Sequence, residues 1–271
     1  MALPLRNARL RISHGTLFWR EVGHGPTLVF LHGSWSDSSQ WVTLMEALGG
    51  SYHCLAPDLL GFGESSRSPK TSYSIALQVE SLAEFLTGVR SQSCVVIADE
   101  IGAWVATRYA LQHPDQVRGL IVSAPEGVSV PGLKRDWEAW RWLAGRWSLR
   151  VGGLWLLTPV IRLMGGKGWL QRLWQRRRLL RRFVPTCQLL FQRSRQAIQG
   201  ELLNRDLDRL TCPVWILQPE ATSETIAAVN ETYQQLINNS RLIPVPGSDL
   251  TLWDQAAPIV QEFVQAQVQR A

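Results

Sequence analysis

Imidazole is scarce in this chain of 271 residues. Its five histidines are His14, His24, His32, His53 and His113, and the last 158 residues hold none. A reaction that depends on an imidazole base from the C-terminal half is therefore excluded. Cysteine is scarce as well. Cys54, Cys94, Cys187 and Cys212 are widely separated and lack C-x-x-C spacing, which argues against a disulfide framework or a thiolate metal site and predicts buried thiols in a reducing compartment. No ligand spacing points to a metal, and no cofactor is expected. No uncharged apolar run reaches the ~18–20 residues of a membrane span. Residues 1–11 lack the apolar core of a signal peptide, so the expectation is a chain kept on the cytoplasmic side.

One window lacks acid. Residues 131–200 carry 15 basic residues against only Asp136 and Glu138, a net +13, whereas the remainder has 13 basic and 20 acidic residues, a net −7. The overall +6 therefore hides two surfaces of opposite sign, which implies two different jobs.

Hydrophobic content of 45% and charged content of 18% describe a globular chain. The run RLRISHGTLFWREV (9–22) alternates before the turn residues GHGP (23–26), and reads as an opening antiparallel hairpin. Short apolar strands are expected at 27–31, 52–56, 95–98, 119–124, 214–217 and 241–244. Helices are expected at 39–48, 74–89, 102–113 and 257–269. Strands and helices alternating at these intervals call for a mostly parallel sheet covered on both faces.

The segment VVIADEIGAW (95–104) reads as a buried strand turning sharply into a helix. Together with LVFLHG (28–33), DLLGFGES (58–65) and YALQHPDQV (109–117), in this order and spacing, it resembles the α/β-hydrolase superfamily. There a G-x-S-x-G elbow presents a serine nucleophile. The elbow positions here are Ala98, Asp99, Glu100, Ile101 and Gly102, so a glutamate stands at the nucleophile position. The resemblance implies a histidine after the last strand, and that position falls on or beside Asp249. It implies an acid after an earlier strand, by alignment at Ala221 with Glu220 adjacent, or alternatively Glu126. The oxyanion donors it implies are near Ser34 and Ile101. Relatives similar to haloalkane dehalogenases and epoxide hydrolases carry a carboxylate at the elbow. A glutamyl ester formed at Glu100 would still need a base to release it, and Asp249 is a weak one near neutral pH. Asp99, Glu100 and Asp249 are expected to converge, with one pKa raised by mutual repulsion. His32 is expected to bond backbone, His113 to end a helix, and Ser34, Ser36, Ser38 and Ser39 to serve the turn after the first parallel strand.

The basic window sits where the superfamily keeps its cap, and three or four helices are expected in it. Trp137, Trp140, Arg141 and Trp142 open it, GLWLLTPVIRLM (153–164) with Trp155 is nearly all apolar, and WLQRLWQRRRLLRRF (169–183) is basic and amphipathic. Arginine and tryptophan flanking an apolar stretch suit a headgroup boundary. Trp155, Trp169, Trp174, Arg176, Arg177, Arg178, Arg181 and Arg182 are accordingly candidates for an anionic membrane surface or an integral membrane protein complex. Nucleic acid is disfavoured, because the apolar runs exceed what a phosphate-tracking surface needs. The expectation is an α/β-hydrolase core at 1–130 and 201–271 with a helical cap at 131–200. On the leading reading it is catalytically degenerate and works as a peripheral binding or assembly factor. The alternative is an active hydrolase using Glu100 on an apolar ester, halide or epoxide, with a small apolar ligand in its pocket.

Overall fold

The structure is a computed structural model that describes residues 3–67, 72–130, 141–145 and 149–268. It divides into two compact units, Met1–Pro131 with Glu201–Ala271, and Gly132–Gly200.

The first unit is built on an eight-stranded sheet. Its strands are β1 (Arg6–Ile12), β2 (Gly15–Val22), β3 (Thr27–Leu31), β4 (His53–Pro57), β5 (Cys94–Asp99), β6 (Val117–Ser123), β7 (Val214–Ala221) and β8 (Ser240–Ser248). The order across the sheet is β1-β2-β4-β3-β5-β6-β7-β8. Pairing is antiparallel for β1–β2 and β2–β4, and parallel from β4 to β8. The helices of this unit are α1 (Val42–Leu48), α2 (Ile75–Gly88), α3 (Glu100–Gln112), α9 (Glu224–Leu236) and α10 (Ala257–Val268). Those of the second unit are α4 (Arg141–Ala144), α5 (Leu149–Leu163), α6 (Lys167–Arg182), α7 (Val184–Cys187) and α8 (Arg195–Glu201), the last ending at the boundary.

The opening hairpin exists, but its turn does not lie where the sequence suggested. The chain reverses at Ser13–His14, and the Gly- and Pro-rich segment 23–26 instead links β2 to β3. Gly15 at φ 149 serves that tight reversal. Helix α9, between β7 and β8, was also not foreseen from the sequence.

Alternate residues of the central strands face opposite sides of the sheet, and both sides are dry. Leu28, Phe30, Val95, Ile97, Ile121 and Leu217 pack with Trp41, Leu44, Met45 and Leu48 and with Val260, Phe263 and Val264. Trp41 is wholly buried there, with its ring centroid 5.5 Å from Phe30 and 4.7 Å from Trp253. Residues of the other parity, Val29, Leu31, Val96 and Ala98, are equally buried, and α2 and α3 pack together. All four cysteines are free and buried, and burial pushes each thiol up to about 12.

Two close approaches position the candidate site. A Cβ on Gly102 would lie 2.4 Å from the Leu31 carbonyl oxygen and 2.6 Å from that of His32, so only glycine lets α3 press against the end of β3. In the 58–65 turn, Asp58 Oδ1 accepts from Ser38 N–H at 2.7 Å and Oδ2 from Glu64 N–H at 2.6 Å. The Ser65 hydroxyl donates to the Asp58 carbonyl at 2.7 Å and accepts from Phe18 N–H at 2.9 Å. This turn ties the loop after β3 to β4 and β2, and its work is structural.

In the second unit α5 and α6 form a helical hairpin closed by a turn at Gly165 (φ 84), and α6 also packs on α4 and α7. Among the described residues no helix is long and apolar enough to cross a membrane.

Candidate functional site: the strand-to-helix turn at Glu100

Strand β5 ends at Asp99 in extended backbone (φ −124, ψ 141), and Glu100 then takes a left-handed φ of 43° to start α3. A residue with a side chain in that region carries roughly 1–3 kcal/mol of strain. Ala124, at the carboxyl end of neighbouring β6, is similarly left-handed at φ 45. The two turns are joined, since the Glu126 N–H donates to the Glu100 carbonyl at 3.1 Å and the Tyr233 hydroxyl donates to the Glu126 carbonyl at 2.9 Å.

The Glu100 carboxyl turns back over the loop after β3. Its Oε2 accepts the Ser34 backbone N–H at 2.6 Å. A Cβ added to Gly33 would stand 2.9 Å from Glu100 Oε2 and 3.2 Å from Asp99 Oδ2, so the bare backbone at Gly33 makes room for both acids. Gln40 bridges this group, accepting Gly33 N–H on Oε1 at 3.1 Å and donating through Nε2 to Asp99 Oδ2 at 2.8 Å. The Trp253 side chain also favours the charged form of Asp99.

Burial sets the electrostatics. It is the largest influence on Asp99, followed by the neighbouring Glu100. Together they push the Asp99 carboxyl up to about 8 against the opposing pull of Gln40 and Trp253. Glu100 is also raised, again chiefly by burial, with the Ser34 N–H pulling down and Asp249 pushing up. Exposed Asp249 adds only the smallest upward push to each of the two buried acids. Burial, however, outweighs the mutual repulsion first expected to dominate.

The other candidates fall as follows. Asp249 lies just past the end of β8, exposed, with its Oδ1 accepting the Thr222 hydroxyl at 3.0 Å. Glu220, at the end of β7, is exposed, and it is Thr222 that reaches Asp249. Ile101 is fully buried in the first turn of α3. His32 cannot act as a base here: Nδ1 lies 2.9 Å from the Gly33 carbonyl, Nε2 accepts Leu59 N–H at 3.1 Å, and burial lowers its pKa. His53 opens β4 at the opposite end of the strands, against Glu21 at 2.7 Å. His14 sits in the β1–β2 turn, and His113 caps α3 against the Tyr109 ring. An open cleft of about 350 Å³ lined by Gly25, Arg90, Cys94 and Arg118 lies at the amino ends of β3 and β5, away from Glu100. Among the described residues no group of three His, Cys, Asp or Glu side chains is arranged to hold a metal ion.

Gln40, Thr222 and Trp253 were not singled out from the sequence. Gln40 and Trp253 lie 59 and 154 positions from Asp99, and no local pattern marks them.

Of the residues proposed for a surface role, Trp137 and Trp140 lie outside the described residues. Trp155 and Trp169 are 68% and 47% exposed, and Arg141, Arg176, Arg178, Arg181 and Arg182 are exposed. Trp142 and Trp174 are half-buried. Arg177 requires a correction. It is half-buried, and its Nη1 donates to the Leu143 and Gly145 carbonyls at the end of α4, which makes it an internal tie.

Residues 28–262 match the model of the alpha/beta hydrolase family. The chain is 31% identical over 123 residues to a 2-hydroxymuconate semialdehyde hydrolase of a Pseudomonas species, covering 43% of this chain and 44% of that protein. It is 32% identical over 114 residues to a haloalkane dehalogenase of Bradyrhizobium diazoefficiens, covering 41% and 36%. The chain thus spans less than half the length of either relative. In fold it is similar to a haloalkane dehalogenase from Bradyrhizobium elkani, with a TM-score of 0.74, 18% identity and coverage of 99% and 100%. It is also similar to a membrane phospholipase A, with a TM-score of 0.72, 21% identity and coverage of 98% and 86%. With the parallel sheet, the left-handed turn from β5 into α3 and the family match spanning all but the ends, the chain belongs to the alpha/beta hydrolase family.

Proposed function

We propose that this member of the family does not turn over esters, halides or epoxides, and works as a binding protein. One observation carries the reading: Glu100, at the nucleophile position, is closed onto Ser34 N–H, the donor expected for an oxyanion. An attacking carboxylate must be ionised, must aim a free lone pair at the substrate, and must later be released by an activated water. Burial keeps Glu100 toward its protonated form, its Oε2 is committed to Ser34, and the position expected for the base holds Asp249. The developing oxyanion would also compete with Glu100 for Ser34 N–H, and loss of one such donor costs about 10²–10³ in rate.

The alternative, an active hydrolase, draws on the carboxyl at the elbow and on the haloalkane dehalogenases among the relatives. On that reading Glu100 would leave Ser34, attack an apolar substrate, and rely on Asp249 to activate water. An assay with a panel of apolar esters, haloalkanes and epoxides separates the two. Sustained turnover that disappears in Glu100→Gln would defeat the binding-protein reading, whereas none above the Glu100→Gln background supports it.

A further inference from the structure

Helix α5 has the composition of a buried helix and the surroundings of an exposed one. Val151, Leu154, Thr158 and Ile161, spaced three and four apart, form its inner stripe. The outward face of a soluble helix should be polar. Here it carries Trp155, Leu156, Leu157 and Val160, which are 51–71% exposed, and then Leu163 and Met164 at the hairpin tip, 89% and 83% exposed. Among the described residues eleven large apolar side chains are exposed, and six of them lie in this ten-residue stretch. Such a patch marks an interaction site.

The surrounding charge selects the occupant. Residues 141–200 contain thirteen basic residues and no acid. Arg162 and Lys167 flank the apolar tip, Arg150 stands at the far end of α5, and Arg172, Arg178 and Arg181 are exposed along α6. A second copy meeting this face with its own equivalent face would bring a like-charged unit against it. A nucleic acid would use the cations and leave the apolar face wet. An anionic bilayer satisfies both at once.

We propose that α5 and its tip seat in the headgroup–acyl boundary of an anionic phospholipid bilayer. Trp155, Leu156, Val160, Leu163 and Met164 enter the apolar layer, while Arg162, Lys167 and the exposed arginines of α6 meet lipid phosphates. At 15 residues α5 lies in the surface and does not span it. This docking names the partner of the binding protein proposed above, but it rests on the second unit alone.

The test is flotation of the purified full-length chain with phosphatidylcholine vesicles, with and without added phosphatidylglycerol, at low and high salt. Binding is expected to the anionic vesicles, weakened by salt. Each of Arg172→Gln and Arg178→Gln should weaken it about fivefold. Leu156→Ser with Leu163→Ser, which leaves charge unchanged, should weaken it at least about tenfold. Brominated lipid should quench tryptophan emission in the bound protein, and Trp155→Phe should remove part of that quenching. Equal affinity for neutral vesicles, binding unaffected by the two serines in a chain of unchanged circular dichroism, or no vesicle binding with capture by a membrane protein instead, would each overturn the proposal. Ester turnover dependent on Glu100 in a vesicle-binding protein would remove the non-hydrolytic reading and leave this one intact.

Discussion

The Ser34 backbone N–H points at Glu100 Oε2, 2.6 Å away, so the acid at the elbow occupies the donor that the proposed function assigns to a substrate oxyanion. The left-handed turn at Glu100 and the bare Cα of Gly33 make this closure possible.

Replacing the acid alone is not expected to create an esterase. Glu100→Ser frees the Ser34 N–H and supplies a hydroxyl, but His32, on the loop that carries Ser34, is held at both nitrogens and cannot serve as its base. Its p-nitrophenyl ester activity is expected to stay about 10⁴-fold or more below that of a complete triad.

Gly33→Ala is expected to destabilise the fold by about 1–3 kcal/mol, because its Cβ must displace the Glu100 carboxyl from Ser34. In a Glu100→Ala background the same change should cost less, with the remaining crowding coming from Asp99 at 3.2 Å. Urea denaturation of the four proteins of this cycle measures the coupling. Strict additivity would place the crowding elsewhere.

The Asp99 carboxyl gives stability a pH dependence of definite sign. Its folded pKa of about 8 is above the value of 3.8 for the free side chain, so the folded state holds a proton that the unfolded state releases in that window. Stability from this group is therefore fullest below pH 4 and declines as pH rises toward 8, by at most about 1.4 kcal/mol per pH unit. Tm measured across that range should fall less steeply in Asp99→Asn than in the parent.

The Trp253 side chain favours the charged form of Asp99. Trp253→Phe retains an aromatic ring against Trp41 while deleting the donor. It should be destabilising by about 1 kcal/mol near pH 6 and by more near pH 9, where Asp99 is ionised. Chemical denaturation at the two pH values checks this, and an equal loss at both would deny the indole N–H a part in holding the charged form of Asp99.

Much of this was legible in the chain. The apolar run 95–98 before Asp99-Glu100-Ile101-Gly102 announced a strand entering a helix, and the order of the four segments fixed the sheet that holds it. The hairpin turn was misplaced because Gly23, Gly25 and Pro26 carry stronger turn chemistry than Ser13–His14, yet the 9–22 alternation spans a reversal that local propensity does not mark. The clamp on Asp99 by Gln40 and Trp253 joins residues from three distant segments, and such pairings are set by tertiary packing. In the basic window composition revealed the charge, but only the helix surface shows that Arg177 faces inward while Trp155 and Leu163 face out.

Multiple-turnover kinetics combined with intact-protein mass spectrometry test the central claim most directly. The wild-type chain would be incubated with the apolar ester, haloalkane and epoxide panel. Closure of Glu100 on Ser34 predicts no product beyond one equivalent per chain, and any adduct confined to Glu100 and stable. Product accumulating over many equivalents, and lost in Glu100→Gln, would contradict it and make Glu100 a working nucleophile.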